Sequence, residues 1–100
     1  MTLSIERKDH TIARLSGRLD ALSATDLTNK VIPLITTGKP SIEFDCTNVN
    51  YISSSGLRTF VLANKITDKH GGSVIITGLS PNLKEIFDLT GLSDFFEFRD

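Results

Sequence analysis

Strict alternation of apolar and polar positions opens the chain and returns near its middle. Leu3 and Ile5 alternate with polar neighbours, the turn-like segment RKDH follows, and a second alternating run extends over Thr11–Leu15. A period of two is typical of strands with one buried face, so these two runs predict an opening β-hairpin. The segment SIEFDC, at residues 41–46, alternates in the same way and predicts a third strand.

Helical periodicity follows the predicted hairpin. Ser23 with Asp26 three residues later resembles a capping box and predicts that a helix starts there. Pro33 has no amide hydrogen, so we expect a kink or a frayed last turn, and Gly38 and Pro40 end the predicted helix. The apolar positions at helical spacing are Ala24, Leu27, Val31, Leu34 and Ile35.

The second half of the chain predicts two more helices and two more strands. Apolar positions from Ser55 to about Lys69 form one broad helical face, and the segment HGG supplies a glycine stop. The glycine-bounded, β-branched run SVIIT predicts a strand inside the sheet, covered on both faces. Ser80 before Pro81 starts a third, shorter helix that ends near Gly91. The alternating aromatic run DFFEF predicts a final edge strand.

The predicted element order is β-β-α-β-α-β-α-β, which defines an α/β fold: a small sandwich with a mixed β-sheet and helices packed mainly on one face. The third and fourth strands flank a helix, so they should be parallel neighbours joined by a right-handed crossover. Binding sites in such sheets gather where the carboxyl end of a strand meets the next helix. The segment NYISSSG occupies one such junction.

Length and composition narrow the class of protein. A chain of 100 residues with 39% hydrophobic content predicts one domain, spanning residues 1–100. Eleven basic and twelve acidic residues give a net charge of -1, which predicts no direct nucleic-acid binding and no membrane attraction. Cys46 is the only cysteine, so an internal disulfide is excluded. No signal segment or long apolar run is present, which predicts a cytoplasmic protein.

Three consecutive serines, Ser53–Ser55, are the first candidates for chemistry. A nucleophile elbow needs glycines on both sides of the serine and a histidine base, but only Gly56 fits. His10 falls in a predicted turn and His70 at a predicted helix end, where a positive imidazole interacts well with the helix dipole. The sequence shows no phosphate-binding loop and no metal-ligand spacing. We therefore expect no enzyme activity, metal or cofactor, and composition alone favours a helix cap for the serines.

Three segments together carry a resemblance to a known family. They are GRLD at Gly17–Asp20, FDCTNVNYISSSGLR, and the closing LSPNLKEIFDLTGLSDFFEF. With the element order, they resemble the STAS domain and, within it, the bacterial anti-sigma factor antagonists. The most specific piece is Asp45 followed nine residues later by serine, serine, glycine and leucine. The resemblance covers essentially the whole chain and implies a STAS-like sandwich.

The resemblance gives each serine a separate role. In this family the loop usually reads aspartate-serine-serine-glycine, and a partner kinase phosphorylates the first serine. Ser54 matches that phosphoacceptor, Ser55 the second serine and Gly56 the glycine. Ser53 stands where the family usually has aspartate, which makes it a rival acceptor. We expect Ser55 to help cap the helix.

Other positions also match the family's pattern. Asp45 matches its strand-end acid, Asp20 the acid after the first hairpin, and Leu57 the apolar residue that opens the helix. The expected contact surface is the loop and helix start from Asn50 to Arg58, with Lys65 as a weaker candidate. The partner-binding residues implied are Asp20, Asn50, Tyr51, Ser53, Ser54, Ser55, Gly56, Leu57 and Arg58.

The resemblance implies a binding protein that catalyses nothing itself. The unphosphorylated form would bind an anti-sigma factor with a serine kinase fold and so free a sigma factor. Phosphorylation at Ser54 would break that complex, and a serine phosphatase would restore it. Because Ser53 is neutral, a second hypothesis stays open: an unphosphorylated STAS scaffold or sensory subunit that binds a protein, a nucleotide or another small molecule.

Overall fold

The elements follow the predicted order along the chain. A computed structural model describes residues 1–7, 9–37 and 41–99. Its elements are β1 (Thr2–Arg7), β2 (Thr11–Leu19), α1 (Ala21–Thr37), β3 (Ile42–Ile52), α2 (Ser54–Lys69), β4 (Val74–Thr77), α3 (Pro81–Leu89), a 3-10 turn (Ser93–Phe95) and β5 (Glu97–Arg99).

The strands form one mixed sheet in the order β1-β2-β3-β4-β5. β1 pairs antiparallel with β2, whereas β2–β3, β3–β4 and β4–β5 are parallel pairs. The opening hairpin, the parallel pairing of the third and fourth strands and the edge position of the last strand are therefore confirmed. β4 lies inside the sheet, as the run SVIIT predicts.

One face of the sheet carries the core. Buried strand positions alternate with exposed or half-buried ones, which places the helices on a single face. Ile75, on the opposite face, is 9% exposed and lies outside the main core cluster. The first three residues of β4 are therefore buried, whereas Thr77 is half-buried, and the cover on the second face is not a helix layer. Core side chains from the sheet include Ala13, Leu15, Ile42, Phe44, Cys46, Val74 and Ile76.

Aromatic rings connect the sheet to α2 and α3. The Phe60 ring lies 4.8 Å from Phe44 edge-on and 5.9 Å from Phe87, measured between centroids. Phe87 in turn lies 5.7 Å from Phe96 and 5.4 Å from Phe98, both edge-to-face. Such rings bury large apolar areas in a favoured geometry. The cluster fixes α2 over the centre of the sheet and draws the chain end onto it.

The third strand is longer than the sequence predicts. β3 continues to Ile52 instead of ending at Cys46, so Asn50 and Tyr51 are strand residues and not part of a loop. Polar side chains after Cys46 hide the apolar alternation. Two irregularities in the β2–β3 register keep the long strand paired, and the positive φ of Gly17 (90°) lies at one of them.

The first helix begins earlier than predicted. α1 starts at Ala21, so Ser23 lies inside its first turn and is not the residue before the helix. Asp20 caps the helix instead, with Ser23 as its partner. The side chain of Asp26 pairs with Lys30 at 3.1 Å and is therefore not part of a capping box. The sequence pattern located the right segment but shifted the cap by three residues.

Pro33 does not end the first helix. The helix continues through Pro33 to Thr37. The predicted stop at Gly38 and Pro40 lies outside the described residues.

The closing run DFFEF does not form one continuous strand. Asp94 and Phe95 belong to the 3-10 turn, in which the amide of Phe95 donates to Leu92 O at 3.1 Å. β5 contains only Glu97–Arg99. The alternation in the sequence reflects Phe96 and Phe98, which both pack towards Phe87.

Candidate functional site

The serine segment lies where two neighbouring strands end. Leu19 closes β2 and Ile52 closes β3, and the two residues are partners in the parallel register. The amide of Ser53 donates to Leu19 O at 2.8 Å, which ties the start of α2 to the end of β2. The sheet therefore positions the serines at the junction that the element order predicts.

Ser53 is the N-cap of α2. Its backbone is extended (φ -83°, ψ 172°), and its Oγ accepts a hydrogen bond from the amide of Gly56 at 3.1 Å. This hydrogen bond satisfies one of the first-turn amides that have no partner within the helix. The prediction that Ser55 caps the helix is therefore wrong by two positions.

Ser54 and Ser55 occupy the first two positions of α2 but differ in surroundings. Ser54 is exposed, and its side chain makes no hydrogen bond within the described part of the chain. Ser55 is half-buried, and its carbonyl accepts from Thr59 Oγ1 at 3.2 Å. Among the three hydroxyl groups, that of Ser54 is the one presented to a second molecule.

Gly56 is required by the close approach of α2 to the sheet. A Cβ at this position would lie 2.9 Å from Cδ2 of Leu19 and 3.0 Å from Cγ2 of Ile52. Both neighbours are buried, with exposures of 0% and 5%, so neither has space to move away. The helix can start this close to the strand ends only because Gly56 has no side chain.

A polar contact fixes α2 to α1 just behind the site. Thr59 is 4% exposed, and its Oγ1 lies 2.9 Å from Oγ1 of Thr28. The same oxygen lies within hydrogen-bond distance of the carbonyls of Ala24 and Ser55, at 3.4 and 3.2 Å. The buried hydroxyl is therefore satisfied, and the first turn of α2 is held from both sides.

Asp20 lies beside the serines, but its carboxylate is used locally. Oδ1 accepts from the amide of Ser23 at 3.0 Å, and the amide of Asp20 donates to Ser23 Oγ at 2.9 Å. This reciprocal pair caps α1. The hydrogen bonds from Ser23, backbone amide first and hydroxyl second, hold the pKa of Asp20 below its ordinary value of 3.8.

Two residues near the ends of β2 and β3 were not predicted to take part. The guanidinium of Arg18 lies 4.1 Å from the centroid of the Tyr51 ring, a cation–π contact across the β2–β3 pair. Leu22, just after Asp20, is 83% exposed. The contact of Arg18 with Tyr51 becomes evident only from the β2–β3 register. Leu22 could have been identified from the sequence, because it lies outside the apolar stripe of α1.

The other predicted contact residues divide into two groups. Leu57 is half-buried against the core, whereas Arg58 is exposed on α2, four residues after Ser54. Asn50 is exposed near the end of β3. With Asp20, Tyr51 and the serines, they form one surface at the strand ends, which we call the switch surface.

Asp45 does not belong to the switch surface. It lies within β3, where its partners in register are Arg14 and Thr77, so its assignment as a strand-end acid is wrong. Its Oδ1 accepts from the amide and hydroxyl of Thr47 at 3.1 and 2.7 Å. At about 3.3 Å per strand residue, it lies roughly 20 Å from Tyr51 along β3.

The histidines and the cysteine lie away from the serines. His10 precedes β2 and lies 3.1 Å from Glu43, between Nε2 and Oε1. His70 follows α2, at the end opposite Ser54, and its Nδ1 lies 2.8 Å from Ile66 O. Burial raises the pKa of Cys46 to about 12, so its thiol is protonated near neutral pH.

Metal-binding groups and the cavity at the end of β4 bear on ligand binding within residues 1–7, 9–37 and 41–99. No group of three metal-binding side chains occurs there. A cavity beside the end of β4, lined by residues that include Ile76, Lys84 and Arg99, has a volume of about 100 Å³. Sites for small ligands commonly measure about 300–1,000 Å³, so this cavity is small for a nucleotide. No helix in the described ranges is long and apolar enough to cross a membrane.

Comparison with known proteins identifies the family. Residues 3–100 match the model of the STAS domain. The anti-sigma-B factor antagonist of Bacillus subtilis is 32% identical over 98 residues, which cover 97% of this chain and 89% of that protein. The chain therefore belongs to the STAS domain family, and its resemblance to the anti-sigma factor antagonists within that family is confirmed.

Solved structures show the same fold at low sequence identity. SpoIIAA, an anti-sigma factor antagonist, in its unphosphorylated form superimposes with a TM-score of 0.86 at 20% identity, covering 97% of this chain and 87% of that chain. The phosphorylated form of the Bacillus cell fate determinant SpoIIAA gives a TM-score of 0.79 at 19% identity, covering 97% and 90%. The mixed sheet with helices on one face is thus a known arrangement.

The assignment of the cap generates a stability prediction. Ser53→Ala should lower the free energy of unfolding by about 0.5–2 kcal/mol, because the amide of Gly56 loses its acceptor. Ser53→Asp should keep the stability of the parent, since a carboxylate also caps and interacts favourably with the helix dipole. Urea unfolding measures both. Ser55→Ala is the matched control, and an equal loss in that variant would contradict the assignment.

The lowered pKa of Asp20 generates a prediction about pH. A depressed carboxylate pKa stabilises the fold above the ordinary value of 3.8, and this contribution is lost as pH falls through the lower folded pKa. Asp20→Asn keeps a capping oxygen but not the charge. Unfolding curves between about pH 2 and 7 should therefore show a difference between parent and variant that shrinks below the ordinary pKa. A difference independent of pH would contradict this role.

Proposed function

We propose that this STAS domain is an anti-sigma factor antagonist whose binding is switched by phosphorylation at Ser54. Its partner is an anti-sigma factor of the serine kinase type. The unphosphorylated form binds that partner and releases a sigma factor, and a serine phosphatase reverses the modification. The domain itself supplies the binding surface and catalyses no step.

The proposal depends on one observation: Ser54 alone of the three serines combines an exposed side chain with no hydrogen bond among the described residues. The Oγ of Ser53 already accepts the capping hydrogen bond from the amide of Gly56, so this hydroxyl is engaged within the fold. Ser55 is half-buried. A kinase could therefore reach the hydroxyl of Ser54 without dismantling the start of α2.

The position of Ser54 would let the fold tolerate a phosphate. A phosphoserine carries about -1.5 to -2 charge near neutral pH, and the first turn of a helix favours negative charge. Arg58 is four residues further along the same helix face and exposed, so its guanidinium can approach the new phosphate. The reported structures of SpoIIAA include an unphosphorylated and a phosphorylated form, which is consistent with a fold that survives the modification.

The same phosphate would be unfavourable under a docked partner. Tyr51, near the end of β3, is 38% exposed, and Leu22, in the first turn of α1, is 83% exposed, so apolar surface near the strand ends is available for contact. A partner packed on that surface would have to desolvate the added charge, which costs several kcal/mol unless the charge is paired. Binding would therefore be lost while folding is kept.

Ser53, in place of the family's aspartate, keeps the helix cap but lacks the negative charge. The serine keeps the hydrogen bond to the amide of Gly56, at 3.1 Å, but provides no carboxylate beside the acceptor hydroxyl. A partner kinase would therefore contact no carboxylate at position 53, where the family usually has one. This substitution supports the second candidate, a STAS scaffold that binds its partner constitutively, and it makes the rate of phosphorylation the informative quantity.

Incubation with ATP and each kinase-like anti-sigma factor from the same genome tests the proposal. We expect phosphate on Ser54, found by mass spectrometry of peptides, because that hydroxyl is free and exposed. Ser54→Ala should incorporate none, whereas Ser53→Ala should still be modified. Phosphate found mainly on Ser53 would contradict the choice of acceptor, and binding without modification would favour the constitutive scaffold.

Partner affinity tests the switch separately. Ser54→Ala should bind the anti-sigma factor as the parent does, and Ser54→Asp should bind about 10- to 100-fold more weakly, a loss of roughly 1.4–2.8 kcal/mol. Ser4→Asp adds the same charge at an exposed position on β1 and is the matched control. Equal binding by Ser54→Asp and the parent would contradict control through Ser54.

A further inference from the structure

A second exposed feature starts at Leu57 and Arg58 of the switch surface and extends between α2 and the 3-10 turn. Two adjoining cavities of about 320 and 120 Å³ share Val61, Lys65 and Leu92 in their walls and form one groove. The groove follows α2 from Leu57 to Lys65, a length of about 12 Å at 1.5 Å per residue. We call it the α2 groove. Its other apolar walls include Leu62, Phe95 and Phe96.

The apolar walls of the α2 groove are partly exposed to water. Leu62 is 39% exposed and Phe95 is 58% exposed, although both have large apolar side chains. Phe96 behind them is 8% exposed and belongs to the core cluster, so the groove has a firm floor. Clustered exposed apolar side chains of this kind indicate a contact surface.

The charges around the α2 groove have one sign. Arg58 and Lys65 line it, and no carboxylate does. Neither cation forms an ion pair within the parts of the chain that the structure describes. They are seven positions apart on α2, which places them about 10.5 Å apart along the helix axis. The groove is therefore complementary to an apolar surface that carries two acidic groups at that spacing.

We propose that the α2 groove binds an acidic amphipathic helix of a partner protein. An apolar stripe of that helix would cover Leu62 and Phe95, and two acidic residues about two turns apart would pair with Arg58 and Lys65. The walls are a helix and a 3-10 turn, whose backbone groups bond internally and offer no strand edge. These walls offer an incoming segment no strand to pair with, which favours a segment that satisfies its own backbone hydrogen bonds, as a helix does.

The spacing of the cations distinguishes this occupant from an anionic lipid. Side chains seven positions apart on a helix match the axial separation of the two cations, about 10.5 Å, which favours a helix over a single headgroup. The proposed helix binds through α2 and the 3-10 turn and does not require Ser54 to be phosphorylated. The groove shares Leu57 and Arg58 with the switch surface, but Lys65 and Phe95 belong to the groove alone, so variants at these two positions test it separately from the proposed switch.

A pair of designed peptides tests the proposal. The acidic probe is a fluorescent 18-residue amphipathic helix with leucine on one face and glutamates seven residues apart, and the control probe carries lysines at those two positions. Fluorescence anisotropy with the whole chain should give at least about tenfold tighter binding of the acidic probe. Equal binding of both probes, or no binding of the acidic probe up to about 1 mM, would overturn the proposal.

Charge reversal locates the contact. Lys65→Glu should weaken binding of the acidic probe at least about tenfold and strengthen binding of the lysine probe. Lys69→Glu, one turn further along α2 and outside the groove, is the matched control and should change affinity less than about twofold. Phe95→Ala should also weaken binding of the acidic probe. An unchanged unfolding midpoint of this variant would show that its fold is intact. Equal effects of the two charge reversals would overturn the site.

Two further measurements exclude other occupants. Vesicles of phosphatidylcholine and phosphatidylglycerol should not sediment the protein, and sedimentation velocity should show no self-association lost in Phe95→Ala. Vesicle binding that Lys65→Glu abolishes would assign the groove to anionic lipid instead. Self-association that Phe95→Ala abolishes would assign it to a second copy of this chain. Either result would overturn the proposal.

Discussion

The contact between Gly56 and the buried side chains of Leu19 and Ile52 determines the geometry of the switch surface. A methyl group on Gly56 would lie 2.9 Å from Leu19, and these neighbours are enclosed by the core. α2 can therefore start directly on the ends of β2 and β3, and the hydrogen bond from Ser53 to Leu19 O fixes its entry. Any larger side chain at position 56 would push the helix away and move the serines with it.

This close start gives each serine a different role within one helical turn. Ser53 caps the helix, Ser55 is half-buried, and Ser54 is exposed to solvent. Arg18 and Tyr51 stack next to them because the β2–β3 register pairs them. The residues around the exposed hydroxyl of Ser54 are thus held by the cap and by the Arg18–Tyr51 contact. A modification on that hydroxyl would change the surface charge while the cap and the contact with the sheet remain.

Much of the fold follows from local sequence patterns, because alternation and helical spacing report directly on which side chains face the core. The hairpin, the buried run of β4 and the capped start of α3 are of this kind. The end of β3 was missed because its pairing depends on irregularities in β2, which the polar residues after Cys46 do not reveal. The cap of α2 was misplaced because adjacent serines are equally good caps, and the approach of Gly56 to the sheet selects Ser53. Arg18 required the register, which is a tertiary property.

The central claim is that charge on Ser54 acts on binding and not on folding. The most direct test prepares the chain fully phosphorylated on Ser54 and measures two quantities: calorimetric affinity for the anti-sigma factor and the free energy of unfolding in urea. We predict that affinity falls at least about 100-fold while the unfolding free energy stays within about 1 kcal/mol of the unmodified protein. Unchanged affinity, or a loss of stability large enough to explain the loss of binding, would contradict the claim.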